Sequence, residues 1–124
     1  MERPPSDSAS ARAIEWRQGT ATALPFADGS FTVLCQMALM FFPDRLKALT
    51  EMGRVVRPGG TVAIAVPSHL DDQVAFSPFV AMAARHAGPE ALSLLSTYFI
   101  CGDLDELTAL VESAGLRVAG ARTH

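Results

Sequence analysis

The chain has 124 residues, 49 % of them apolar, with ten Lys and Arg against thirteen Asp and Glu, a formal charge of −3. That length holds one modest domain with its own core, and that apolar share excludes disorder over most of it. The charge balance leaves no basic footprint for nucleic acid and no polybasic patch for a membrane, and no apolar run approaches the roughly 20 residues that cross a bilayer.

Met1 to Arg12 is rich in Pro, Ser and Arg and has no apolar signal core. It reads as a loose tail or a remnant of an upstream chain, with residues 13–124 as the domain. Ala13 to Arg17 is short and mixed and is read as a weak strand bounded by Gly19. Thr20 to Ser30 carries Leu24-Pro25-Phe26 and Asp28-Gly29-Ser30, the composition of a loop with a turn. Phe31 to Cys35 is a compact apolar run with a β-branched residue, as in a strand covered on both faces.

Pro43-Asp44 opens a helix, with proline suited to the first turn and the carboxylate to the positive end of the dipole. Leu46, Leu49, Met52 and Val56 recur on one face. Pro58-Gly59-Gly60 stops the helix. Gly53 inside it costs about 1 kcal/mol relative to alanine, so it marks either a close approach or relaxed selection. Thr61 to Val66 is a second strand of the buried type, and Pro67 to Asp72 is polar and turn-prone. Val74–His86 and Pro89–Leu95 read as two short helices. Asp103 and Glu106 have capping-box spacing ahead of Leu104, Leu107, Leu110, Val111 and Ala114, and Gly115 is the stop. Leu116 to Ala119 reads as the start of another strand.

Strands alternating with helices predict an α/β fold with a mostly parallel sheet, in which ligands bind beyond the carboxyl ends of the strands. Those ends fall at Cys35-Gln36 and Val66-Pro67. Cys35 and Cys101 lie in apolar surroundings without metal-ligand spacing. They read as free buried thiols in a reducing cytoplasm, and no metal site is expected. His69 and His86 stand without a partner acid at suggestive spacing and read as surface residues, and no catalytic residue is assigned.

The order Leu24-Pro25-Phe26, Asp28-Gly29-Ser30-Phe31, Cys35-Gln36, Phe41-Phe42-Pro43-Asp44-Arg45 and Arg54-Val55-Val56-Arg57-Pro58-Gly59-Gly60 resembles class I S-adenosylmethionine-dependent methyltransferases, of the small-molecule, type 11-like kind. The resemblance covers their central to late portion, from about Ile14 to about Val118. It implies a partial doubly wound, Rossmann-like sheet that lacks the first two strands and the last strand of the family fold. It also implies S-adenosylmethionine as cofactor, with Thr20, Ala21, Cys35, Gln36 and Met37 as the cofactor-binding positions. Relatives carry an acid where Thr20 stands, and Thr20 offers a hydroxyl without charge. No G-x-G run is present to cradle the cofactor. The leading expectation is therefore methyl transfer to a small-molecule acceptor in a full-length form, this chain being a truncated piece inactive alone. The alternative is a noncatalytic binding or dimerisation module that self-associates through the sheet edge left open. An unrelated nucleotide-binding α/β protein is a weaker third reading.

Overall fold

The computed structural model describes residues 13–123. The stretch read as a tail, residues 1–12, lies outside them. Two strands, β1 (Val33–Gln36) and β2 (Val62–Ala65), run parallel with Val33 opposite Val62 and Gln36 opposite Ala65. The crossover between them contains a 3-10 turn, Leu39–Phe41, and helix α1 (Arg45–Val55). After β2 come α2 (Phe76–Ala87), α3 (Pro89–Ser96), a 3-10 turn at Thr97–Phe99 and α4 (Leu104–Ser113). This is the expected α/β arrangement with a parallel sheet. Among the described residues, no helix is long and apolar enough to cross a membrane.

Helix α1 begins just after the expected Pro43-Asp44: Pro43 lies before the first turn, and Asp44 is the N-cap, accepting a hydrogen bond from the Lys47 N–H at 2.9 Å and satisfying one orphan donor of that turn. It ends at Val55, before Pro58. The N–H groups of Gly29, Ser30 and Phe31 donate to the carbonyls of Arg54 and Val55, and Arg57 N–H donates to Phe31 O. The last carbonyls of the helix are thus satisfied by the incoming loop. Val56 and Arg57 are drawn into extended backbone, with Phe31 and Val56 in a parallel bridge. The buried face is Ala48, Leu49, Met52 and Val55, one register over from the predicted Leu46, Leu49, Met52 and Val56; Leu46 is exposed. Gly53 marks a close approach, since a Cβ there would sit 3.2 Å from Leu116 Cδ2.

Helix α4 also starts as predicted, with Asp103 Oδ1 accepting from Glu106 N–H at 2.9 Å. Leu107, Leu110, Val111 and Ala114 pack on the core formed by Cys35, Leu39, Ala48, Leu49 and Met52, while Leu104 stays exposed.

Three expectations are corrected. Ala13–Arg17 forms no strand; these residues are exposed, and among the described residues no segment offers them a ladder. Leu116–Ala119 forms none either, and Leu116 is used against Gly53. Among the described residues, the strands are covered on one face rather than both. Val33, Cys35, Val62 and Ile64 face α1 and α4, whereas Leu34 (67 % exposed), Gln36, Ala63 and Ala65 face outward. Side chains alternate along a strand, and the described helices pack on only one side of this sheet.

Candidate functional site at the carboxyl ends of the strands

The carboxyl end of β1 has an unusual backbone conformation. Met37 has φ 53, and among the described residues it is the one non-glycine in the left-handed region. An unbranched side chain tolerates that region poorly, at an order of 1–3 kcal/mol. The turn is held from both sides. Met37 N–H donates to Ala65 O at 2.8 Å, extending the ladder by one residue, and Leu39 and Met40 are fully buried just beyond. Gln36 and Met37 consequently project from the strand end with their side chains exposed.

The five positions named from the sequence divide into two groups. Cys35 is a core residue, and burial pushes its thiol above the ordinary value of 9.0, with a hydrogen bond involving the Leu39 backbone acting the other way. Ala21 packs against that same core. Thr20 is exposed at a turn closed by Ala23 N–H donating to Thr20 O, with its hydroxyl 3.0 Å from that of Thr22. Core packing thus brings the Thr20–Ala21 turn and the end of β1 onto one support, and leaves Thr20, Gln36 and Met37 facing solvent. A hydroxyl, an amide and a thioether are compatible in chemistry with a polar, sulfur-bearing cofactor. They supply no carboxylate and no cradle of backbone donors, so the residues present fit such a group only in part.

A latch not anticipated from the sequence fixes the loop that leads into β1. Arg54 grips Glu51 with two parallel hydrogen bonds, Nε to Oε1 at 2.8 Å and Nη2 to Oε2 at 2.9 Å. It also donates to Asp28 Oδ1 at 2.7 Å, to Phe26 O at 2.9 Å and to Leu24 O at 3.0 Å. Glu51 Oε2 in turn accepts from Leu24 N–H at 2.8 Å. The planar fork of arginine allows one side chain to hold two carboxylates and two carbonyls. Glu51 and Arg54 stand three residues apart on α1, a spacing that could have disclosed the pair, but their hold on residues 24–28 is a long-range contact.

The Arg54 hydrogen bonds, and next the Leu24 N–H, lower Glu51 from an ordinary 4.5 to about 2. A carboxylate depressed in the folded state contributes fully above its unfolded value and loses that contribution as pH falls toward its folded one. Stability is therefore expected to decline between pH 4.5 and about 2 through this group. Glu51→Gln should remove that segment of the acid titration, monitored by circular dichroism; an unchanged profile would show that the latch is not linked to folding.

On the other side of the strand ends, a cleft of about 330 Å³ is lined by His69, Leu70, Asp71, Ser96, Phe99, Ile100, Asp103 and Glu106. His69 Nδ1 lies 3.6 Å from Asp71 Oδ2. A second, open cleft of about 680 Å³ runs beside Asp28, Arg54, Arg57 and Gly59 at the opposite end of the strands. Neither cleft includes any of the five cofactor positions named from the sequence.

Residues 3–64 match a family described as a methyltransferase domain. The chain is 40 % identical over 100 residues to methyltransferase GfsG of Streptomyces halstedii, an alignment covering 77 % of this chain and 32 % of that one. It is 45 % identical over 67 residues to a demethylmenaquinone methyltransferase of Renibacterium salmoninarum, covering 53 % of this chain and 27 % of that one. It therefore spans no more than about a third of the length of these curated relatives. A crystal structure from Thermotoga maritima, described as a SAM-dependent methyltransferase and possible histamine N-methyltransferase, superposes with a TM-score of 0.60 at 23 % identity. That superposition covers 81 % of this chain and 44 % of the other, a likeness of fold. The matched family takes in half the chain, including the ordered motifs from Leu24 to Gly60 and the strained turn at Met37, and the chain belongs to this methyltransferase domain family.

Proposed function

We propose that the chain contributes one wall of the S-adenosylmethionine site in a methyltransferase acting on a small-molecule acceptor. The observation that carries this reading is Met37, held in a left-handed conformation at the carboxyl end of β1, where open α/β sheets bind ligands. When bound, the cofactor supplies a methyl group on a positively charged sulfonium. Direct displacement at such a centre needs alignment and exclusion of water more than a dedicated base. The chain's own part is positional. Cys35 and Ala21 anchor the wall from the core, Gln36 offers an amide that both donates and accepts, Met37 offers an apolar thioether, and Thr20 a hydroxyl at the adenine side. A wall without a glycine-rich loop binds weakly, so tight binding requires a further segment.

Titration of the chain with S-adenosylmethionine, followed through the labelled methionine methyl resonances and the Gln36 side-chain amide, tests this. Shifts at Gln36 and Met37 are expected at millimolar concentration, an affinity of about −4 kcal/mol. Silence at Thr20, Gln36 and Met37 alike would remove the wall. A micromolar dissociation constant would show that no further segment is needed.

A second reading, a noncatalytic module that pairs with itself, is favoured by the bare sheet face. Leu34 and Gln36 point outward on the exposed face, and β1 has β2 as its one neighbour among the described residues. An open edge templates pairing. On this reading sedimentation velocity shows a weight average that rises with concentration; a monomer throughout, with protected Leu34 and Gln36 amides, speaks against it.

A further inference from the structure

The proposed methyl transfer leaves the acceptor open, and an aromatic row beside the strand end bears on it. Phe41 closes the 3-10 turn that follows Met37. Leu39 and Met40 are fully buried, and three residues complete one 3-10 turn, so the third side chain is forced outward and Phe41 is 57 % exposed. Across from it, the turn Thr97–Phe99 repeats the device. Phe99 is buried and fixes the turn, and Tyr98 is left half-buried with its ring 5.9 Å from that of Phe41 at 48°. Tyr98 meets Phe99 edge-on at 5.3 Å, and Phe99 meets Phe76 at 5.8 Å. Two turns more than fifty residues apart thus each anchor one side chain and present one ring at a common place.

The Arg45 guanidinium donates from Nη2 to Met40 O at 3.0 Å, one residue before Phe41, so a positive charge stands beside this place. Among the described residues the cation stacked on a ring is Arg17 over Phe26, in the loop before β1, and both Phe41 and Tyr98 keep their faces free of one. Among the described residues, the Tyr98 hydroxyl has no hydrogen-bond partner in the protein. An exposed ring paired with a tilted second ring offers stacking and edge contacts to a planar guest, and a free phenol offers it one polar handle. The geometry points to Phe41 and Tyr98 as the acceptor wall, selecting a planar aromatic molecule and holding it by the turn that follows the end of β1. This assignment rests on the methyl-transfer reading for its purpose, but not for its test.

The test uses the 124-residue chain, 2-naphthol as probe and decahydro-2-naphthol as its saturated counterpart. Naphthol is expected to shift the ring resonances of Phe41 and Tyr98 and to bind about fivefold more tightly than the saturated alcohol, the scale of an aromatic pair. Phe41→Leu and Tyr98→Leu keep apolar volume without a ring, and should bring the two affinities together; Tyr98→Phe should keep the selectivity. Equal binding of both alcohols by the unsubstituted chain, or unmoved Phe41 and Tyr98 rings, overturns the assignment. So do ring resonances that move with protein concentration in the absence of naphthol, because a second copy would then cover this face. A response to S-adenosylmethionine at Met37 without naphthol selectivity removes the acceptor wall alone. Naphthol selectivity without that response keeps the aromatic subsite and removes methyl transfer.

Discussion

Leu49→Ala is expected to destabilise the protein by about 2–5 kcal/mol, the range for truncating a buried leucine. Leu49 is fully buried where α1 meets the sheet, in one cluster with Cys35, Leu39, Ala48 and Met52. A domain of this size has a total stability on the order of 5–15 kcal/mol, so such a loss is a large share of it. The same cluster supports the carboxyl end of β1, because Cys35 and Leu39 flank Gln36 and Met37 and hold the strained turn from below. Urea denaturation should show a lower midpoint at unchanged slope. Leu94→Ala removes the same atoms from a side chain 76 % exposed and should change stability by no more than about 0.5 kcal/mol. Equal effects from the two substitutions would mean that the core does not lie where these contacts place it.

Gly102→Ala is expected to cost about 1–3 kcal/mol through overpacking, and to loosen one place in particular. Gly102 immediately precedes the α4 cap and lies against the segment that leaves β2. A Cβ there would stand 2.6 Å from His69 Cα and from Ser68 C, and would also run into His69 N. These are main-chain atoms, so no rotamer change can relieve the contact. The approach closes the neck of the helical excursion from Leu70 to Cys101, which carries Tyr98 and Phe99. Gln73 Nε2 donates to Ser68 Oγ at 2.7 Å on the same neck. Hydrogen exchange should therefore quicken at residues 68–73 and 99–103, while α1 keeps its protection. Gly120→Ala, where a Cβ would meet nothing within 4 Å, is the neutral control. Exchange at the neck unchanged by Gly102→Ala would show that the two ends of the excursion do not touch.

The latch, the strained turn and the aromatic row differ in how far they could be read in advance. Gln36 and Met37 were legible as the exit of a strand, because apolar runs and turn residues are local signals. The left-handed backbone at Met37 was not, since nothing in a methionine announces it; the Ala65 carbonyl and the burial of Leu39 and Met40 impose it. Cys35 was legible as an apolar thiol, and its place in the core agrees with its neighbours. Arg54 stands in the last turn of α1, and its partners Leu24, Phe26 and Asp28 come from a loop more than twenty residues earlier. The Phe41–Tyr98 pair joins turns with no common sequence signal.

The ordered motifs from Leu24 to Gly60 carried the resemblance to the family. Hydrogen-bonding side chains, proline, glycine and apolar period, which act within a turn or two of the chain, carried the parallel α/β alternation, the helix start near Asp44, the cap at Asp103 and the approximate bounds of both strands and four helices. Tertiary structure alone decided which face of α1 is buried, that α1 stops at Val55, and that Ala13–Arg17 and Leu116–Ala119 pair with nothing among the described residues. It also decided that, among the described residues, the sheet is covered on one side. Strand pairing and face coverage depend on partners distant in the chain, and an apolar run carries the same composition whether one face or two are buried.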